Sequence, residues 1–172
     1  MRLRNILIIA FLTLLPIFEL RLAIPFGILF LQENMWVVII TAFIVNLFDA
    51  VFAFYLWKGI IYLSRKIPFL DKLYKKKLLK IQKKVHAKVE KYGVWGLAIF
   101  IGIPLPGSGA YTGAIAADLL GMDLKHFMKA ALVGILAAMT IILIITYLFS
   151  GILYYLGYTP ARIEQARMLL GL

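Results

Sequence analysis

Apolar residues run along this chain in stretches of two lengths, and the lengths decide what each stretch can be. Met35–Trp57 and Phe127–Phe149 are each 23 residues long. At about 1.5 Å per residue such a helix covers about 35 Å, against a bilayer hydrocarbon core of about 30 Å. Both are predicted to span a membrane. The remaining stretches fall short: Asn5–Phe18 reaches about 21 Å, Leu22–Leu31 about 15 Å, Tyr92–Ile103 about 18 Å and Ala110–Met122 about 20 Å. They come in pairs, and each pair precedes a full span. Paired half-length arms predict hairpins that enter the membrane and turn back.

The two breaks between the arms are polar or helix-breaking. The first is Phe18-Glu-Leu-Arg-Leu-Ala-Ile-Pro25, with Gly27 just beyond. The second is Ile101-Gly-Ile-Pro-Leu-Pro-Gly-Ser-Gly-Ala-Tyr-Thr-Gly113. Pro104 and Pro106 remove backbone donors and clash with a continuing helix, whereas Gly107 and Gly109 tolerate a sharp turn. Non-helical backbone survives in lipid only when protein covers it or it lines a watery cavity, so this segment predicts a buried tip. Between the halves lies a different pattern. Leu70, Tyr74, Leu78, Ile81, Val85, Val89 and Tyr92 recur at three- and four-residue spacing with lysines on the other faces. That is an amphipathic helix suited to lie on the bilayer with its lysines towards anionic lipid.

The predicted fold is therefore an all-α integral membrane protein of one domain, residues 1–172. A re-entrant hairpin (5–31) precedes a transmembrane helix (35–57), and a basic cytoplasmic linker (58–91) carries the amphipathic helix. A second hairpin (92–122), a second transmembrane helix (127–149) and a tail (150–172) follow. With the linker inside, the first hairpin opens outward and the second inward, the plan of an inverted repeat.

Composition sharpens this picture. Hydrophobic residues make up 63% of the 172, and the mean hydropathy is +0.94. Those values exclude an ordinary soluble domain. The net charge of +11 would suit nucleic acid, but twelve of the nineteen Lys and Arg lie between Lys58 and Lys91, beside membrane segments. There a basic run reads as cytoplasmic and headgroup-facing, so no nucleic-acid partner is expected. The absence of cysteine removes disulfides, thiolate metal sites and a cysteine nucleophile. Arg2 and Arg4 precede the apolar run Ile6–Leu15 as in a signal peptide, yet no small-x-small cleavage site follows, so a retained segment is expected.

Chemistry can come from few residues. Glu19 and Arg21 would each cost about 2.5 to 3.5 kcal/mol at a lipid-exposed helix centre. They therefore form either a surface turn or a pair in a cavity, Glu19 taking a proton or cation and Arg21 an anion. Asn46 and Asp49 share a helix face at i and i+3. Asp49 reads as a proton carrier or as a structural partner for Arg21, and Asp118 as a third proton-coupling group or a surface residue. Around the tips, Pro25, Pro104, Pro106, Gly107, Ser108, Gly109 and Thr112 complete the candidate substrate site. The amides of Gly107 to Gly109 could meet an anion, while Ser108 and Thr112 touch substrate or bond to backbone freed by the prolines. Gly109, Gly113, Ala117 and Gly121 recur every four residues, which suits close helix contact and is compatible with a homo-oligomer. No dinucleotide loop, P-loop or nucleophile elbow is present. His86 and His126 have no second histidine at ligand spacing. Neither an enzyme, a metal site nor a cofactor is expected.

Glu19-Leu-Arg-Leu-Ala-Ile-Pro-Phe-Gly27 together with Pro104-Leu-Pro-Gly-Ser-Gly-Ala-Tyr-Thr-Gly113 resembles the paired signatures of the small multidrug export protein family, from about Phe11 to Gly151. That family is in turn distantly similar to the DedA (VTT) membrane proteins, which carry re-entrant hairpins and are linked to translocation of polyprenyl phosphate or phospholipid. Tyr92-Gly93 and Lys125-His-Phe127 fit the wider pattern. DedA proteins place arginines around the second hairpin; here the nearest analogue is Arg21 in the first. The resemblance implies a transporter in the inner or plasma membrane, multi-pass, in contact with membrane lipid. Its substrate would be a hydrophobic or amphiphilic small molecule, or a lipid phosphate in a flippase or scramblase. A membrane scaffold is the competing class.

Charge placement generates a prediction. Lys58–Lys91, Lys125 and Lys129 should face the cytoplasm, leaving both termini outside. A cysteine placed at Lys77 should react with impermeant thiol reagents in inverted vesicles and stay unlabelled in intact cells; labelling from outside would reverse the orientation.

Overall fold

The computed structural model describes residues 2–64, 93–105, 108–155 and 168–169. The amphipathic helix expected over 70–92 and the tip residues Pro106 and Gly107 lie outside the described residues, as does most of the basic linker. Helices α1 (Arg2–Leu14), α2 (Glu19–Pro25), α3 (Met35–Ser64), α4 (Gly93–Gly102), α5 (Ala110–Leu119) and α6 (Leu124–Tyr155) make up the regular structure, with no strand among the described residues. The order is short, short, long, then short, short, long.

The first break differs from the sequence expectation. It falls at Leu15–Phe18, and the charged residues open α2 instead of lying in the turn. Pro16 explains the shift, because the residue before a proline is pushed out of the helical region and α1 must stop at Leu14. Pro25, expected to mark a turn, sits inside a helix. A π turn over Phe26–Phe30 follows it, closed by the Leu31 N–H donating to the Phe26 carbonyl at 3.1 Å. Gly27 lets this turn press on α3, since a Cβ there would lie 2.9 Å from a Val38 methyl.

Helix α3 is the centre of the bundle and packs against α1, α2, α5 and α6. It buries Val38, Ala42, Asn46, Asp49, Ala50, Ala53 and Phe54 while exposing Trp36, Ile40, Ile44, Phe48 and Phe52. Asn46 and Asp49 face inward and most of the large apolar side chains outward, the reverse of a soluble helix. Among the described residues two helices are long and apolar enough to cross a membrane: Met35–Leu63 with a mean hydropathy of 2.4, and Leu124–Tyr155 with 2.6. Phe54 of α3 stacks on Phe127 of α6 with centroids 5.3 Å apart. Elsewhere many alanines line the core among larger aliphatic residues, including Ala23, Ala42, Ala98, Ala110, Ala114, Ala130 and Ala138, which allow close backbone approach.

At the start of α6, Asp123 accepts from the His126 amide at 2.8 Å and also meets the His126 ring. The amide bond, then the ring, hold the Asp123 carboxyl below its ordinary range. A depressed carboxyl supports the folded end at neutral pH, and that support is lost as pH falls through the lowered value.

Helix α6 packs closely on α4. A Cβ at Gly134 would lie 2.7 Å from the Ile101 Cβ and 2.8 Å from the Ala98 carbonyl oxygen. Gly134→Val should therefore destabilise the protein by about 1 to 3 kcal/mol through overpacking, whereas Gly59→Ala and Gly151→Ala, with nothing within 4 Å, should cost nothing. Thermal unfolding in detergent measures the difference.

Candidate functional site

The end of α4 leaves backbone acceptors without helical partners. Pro104 has no N–H, and the Leu105 amide donates at 2.8 Å to the Ile103 carbonyl, not one turn back to Ile101. Arg21 fills the gap from the other half of the chain. Its Nη2 donates to the carbonyls of Ile101 and Ile103 and to Ser108 Oγ, each at 3.2 Å. Its Nη1 donates to Glu19 Oε2 at 2.6 Å. The other Glu19 oxygen accepts from the Ala110 N–H at 2.9 Å, an orphan donor in the first turn of α5. Glu19 and Arg21 thus tie the α1–α2 turn to the α4–α5 turn.

The fit is tight. A Cβ at Gly109 would stand 2.1 Å from both Glu19 oxygens, so only glycine admits the carboxylate. Glu19 itself has a left-handed backbone, φ 46°, which is sparsely populated by residues with a Cβ. Glu19 is 2% exposed, which rules out the reading of a solvated surface turn.

Beside this pair lies a second polar group. Asn46 and Asp49 on α3 are 0% and 1% exposed. The Tyr111 hydroxyl of α5 donates to Asp49 Oδ1 at 3.1 Å. Asp49 Oδ2, both polar atoms of the Asn46 amide, and Arg21 Nε are buried with no hydrogen-bond partner. Asn46 stands next to the Glu19 carboxylate without a bond of ordinary geometry, and Glu19 acts electrostatically on Asp49. The cluster holds two carboxylates and one guanidinium, so one carboxylate has no matching positive charge among the described residues. Charge left alone in a low-dielectric interior is costly, and polar groups inside membrane helices commonly mark transport paths.

Other expected site residues are placed differently. Pro25 and Pro104 are half-buried beside the turns and serve to shape them. Thr112 Oγ1 donates to the Gly109 carbonyl at 3.2 Å, closing the first turn of α5, and Ser108 Oγ donates to Ile103 or Leu105. Asp118 accepts from Trp57 Nε1 at 3.3 Å. It lies eight residues beyond Ala110, about 12 Å along the helix, and does not join Glu19 and Asp49. The expected amide cradle is described only at Ser108 and Gly109, joined by Ala110. Sequence reasoning missed Tyr111, the Ala110 amide and the two carbonyls. Tyr111 had a signal, being the hydroxyl-bearing aromatic within the Pro-Gly segment; the backbone groups had none. Among the described residues no group of three His, Cys, Asp or Glu could hold a metal ion.

A protein family described as "Putative small multi-drug export protein" matches residues 19–141. This chain belongs to that family. The match starts at Glu19 and encloses the whole cluster. No curated protein and no solved structure matches the chain. Family and long apolar helices together indicate a membrane protein of the exporter class.

Removing one partner of a buried ion pair costs about 3 to 5 kcal/mol, against about 0 to 1 for a surface pair. Glu19→Gln and Arg21→Gln should each lose stability on the larger scale, and the double variant should recover part of it. Gly109→Ala should behave like Glu19→Gln, because the carboxylate is expelled. Wild-type melting temperatures for all three single variants would dissolve the site.

Proposed function

We propose that this protein is a small proton-coupled exporter of hydrophobic or amphiphilic cations in the cell membrane, crossing it more than once. The observation that carries this reading is the free oxygen of buried Asp49 beside the Glu19–Arg21 pair, where the two turns meet. An unmatched carboxylate in the interior accepts a proton or an organic cation, and exchange of one for the other drives export. Arg21 offers little to an anion, since both of its terminal nitrogens are engaged.

The short helices support re-entrant hairpins. At 13 and 10 residues, α1 and α5 reach about 20 and 15 Å, too short to cross. With the basic linker cytoplasmic, the two hairpins enter from opposite faces as inverted repeats and touch near the midplane. The Glu19–Ala110 and Arg21–Ile103 bonds join their tips, and rocking one repeat against the other would have to break them.

Purified protein in proteoliposomes, with an imposed pH gradient, tests this against the lipid and scaffold readings. A fluorescent lipophilic cation should be exported, and Asp49→Asn should lower the rate at least about tenfold, equivalent to about 1.4 kcal/mol, and abolish its dependence on the gradient. Movement of a labelled polyprenyl phosphate instead would assign a flippase, with Arg21 released from Glu19. If neither moves faster than in empty vesicles, the protein is a scaffold.

A further inference from the structure

The buried Asn46 amide is unexplained by the reading above. Both of its polar atoms lack partners at 0% exposure, yet it stands between two carboxylates: next to Glu19 in space, and three residues before Asp49 on one face of α3. Leaving such atoms unbonded costs about 1 to 3 kcal/mol each, so a single arrangement that satisfies them is strongly favoured.

An ionised carboxylate only accepts hydrogen bonds, a protonated one also donates, and a side-chain amide does both. Two ionised carboxylates could use only the amide's donors and would leave Asn46 Oδ1 bare. One proton changes the count. With Asp49 Oδ2 protonated, its O–H donates to Asn46 Oδ1, and Asn46 Nδ2 donates to Glu19. Tyr111 still donates to Asp49 Oδ1, and Glu19 keeps Arg21 and the Ala110 amide. The charges then cancel, with Glu19 negative, Arg21 positive and Asp49 neutral.

We propose that Asn46 is a positioning residue through which Asp49 and Glu19 share a single proton, held in this conformation between Asp49 Oδ2 and Asn46 Oδ1. The inference deepens the proton-coupled reading and rests on it for its role in transport. Moving the proton to Glu19 needs only a half-turn of the amide, which then accepts from Glu19 and donates to ionised Asp49. Glu19 thereby loses the charge that holds Arg21, and the bridge between the turns weakens.

The groups facing this proton are few. Glu19 and Arg21 come from α2, Tyr111 from α5 and Asn46 from α3 itself, while the end of α4 gives the carbonyls of Ile101 and Ile103. Helices α1 and α6 add no charged side chain to these bonds among the described residues. A metal cation fits worse: hard cations such as calcium and magnesium gather about six or more oxygens, and the unpartnered oxygens here are Asn46 Oδ1 and Asp49 Oδ2.

Infrared difference spectroscopy on the full chain in nanodiscs tests the proposal without any transport. At neutral pH a protonated carboxyl C=O band should be present and be lost in Asp49→Asn. In Asn46→Leu it should move to higher frequency, because its hydrogen-bond acceptor is gone, and Asn46→Ser, which keeps an oxygen, should restore it towards the wild-type position even if the leucine variant folds poorly. A band indifferent to Asp49→Asn, one unmoved in both Asn46 variants, or one erased by exchanging choline chloride for sodium chloride would each overturn the proposal. If the band behaves as expected and no dye is exported, the shared proton stands and the exporter reading falls.

Discussion

One carboxylate ties the turn of the first half of this protein to the turn of the second. Glu19 joins Arg21, which saturates the frayed end of α4, and caps the first turn of α5 through the Ala110 amide. Each contact would be weak in water. In a largely buried setting of low dielectric, each relieves a backbone or charged group, and losing it leaves that group short of a partner. The left-handed backbone at Glu19, which costs of order 1 to 3 kcal/mol, and the glycine at 109 are the conditions under which this carboxylate reaches its seat.

The surrounding bundle makes such a cluster tolerable. Helix α3 turns Asn46 and Asp49 inward and Trp36, Ile40, Ile44, Phe48 and Phe52 outward, so the two polar side chains are kept off its exposed face. Alanines and glycines let α2, α5 and α6 crowd round it. Gly134 brings α6 against the backbone of α4, and Gly113 leaves room for Ile101 on α5. Small side chains thus bring helix ends near enough for backbone groups to become ligands of side chains.

The prolines have a constructive part in this chemistry. Pro16 stops α1 so that Glu19 opens a new helix, and Pro104 stops α4 so that carbonyls are left for Arg21. After Pro25 the chain enters a π turn that seats Gly27 on Val38. Helix-breaking residues in apolar segments create unsatisfied backbone groups, and the charged side chains are placed where those groups arise.

For the described residues, run lengths in the sequence determined that they are helical, that two helices are long enough to cross a membrane and that four are not, because helix rise and bilayer thickness are fixed quantities. It also singled out Glu19, Arg21, Asn46, Asp49, Ser108 and Gly109, since charge, amide and Pro-Gly residues are conspicuous against an apolar background. What it left open was pairing. Arg21 could have met Asp49, but it meets Glu19 and carbonyls eighty and eighty-two residues away; Asp118 could have joined the carboxylates, but it bonds to Trp57. Only the tertiary structure decides such matters, because a backbone carbonyl has no letter of its own and becomes a partner only when another element's packing brings a donor to it. The same holds for Gly109. A permissive turn residue in one dimension, it is in three dimensions the floor of a carboxylate site.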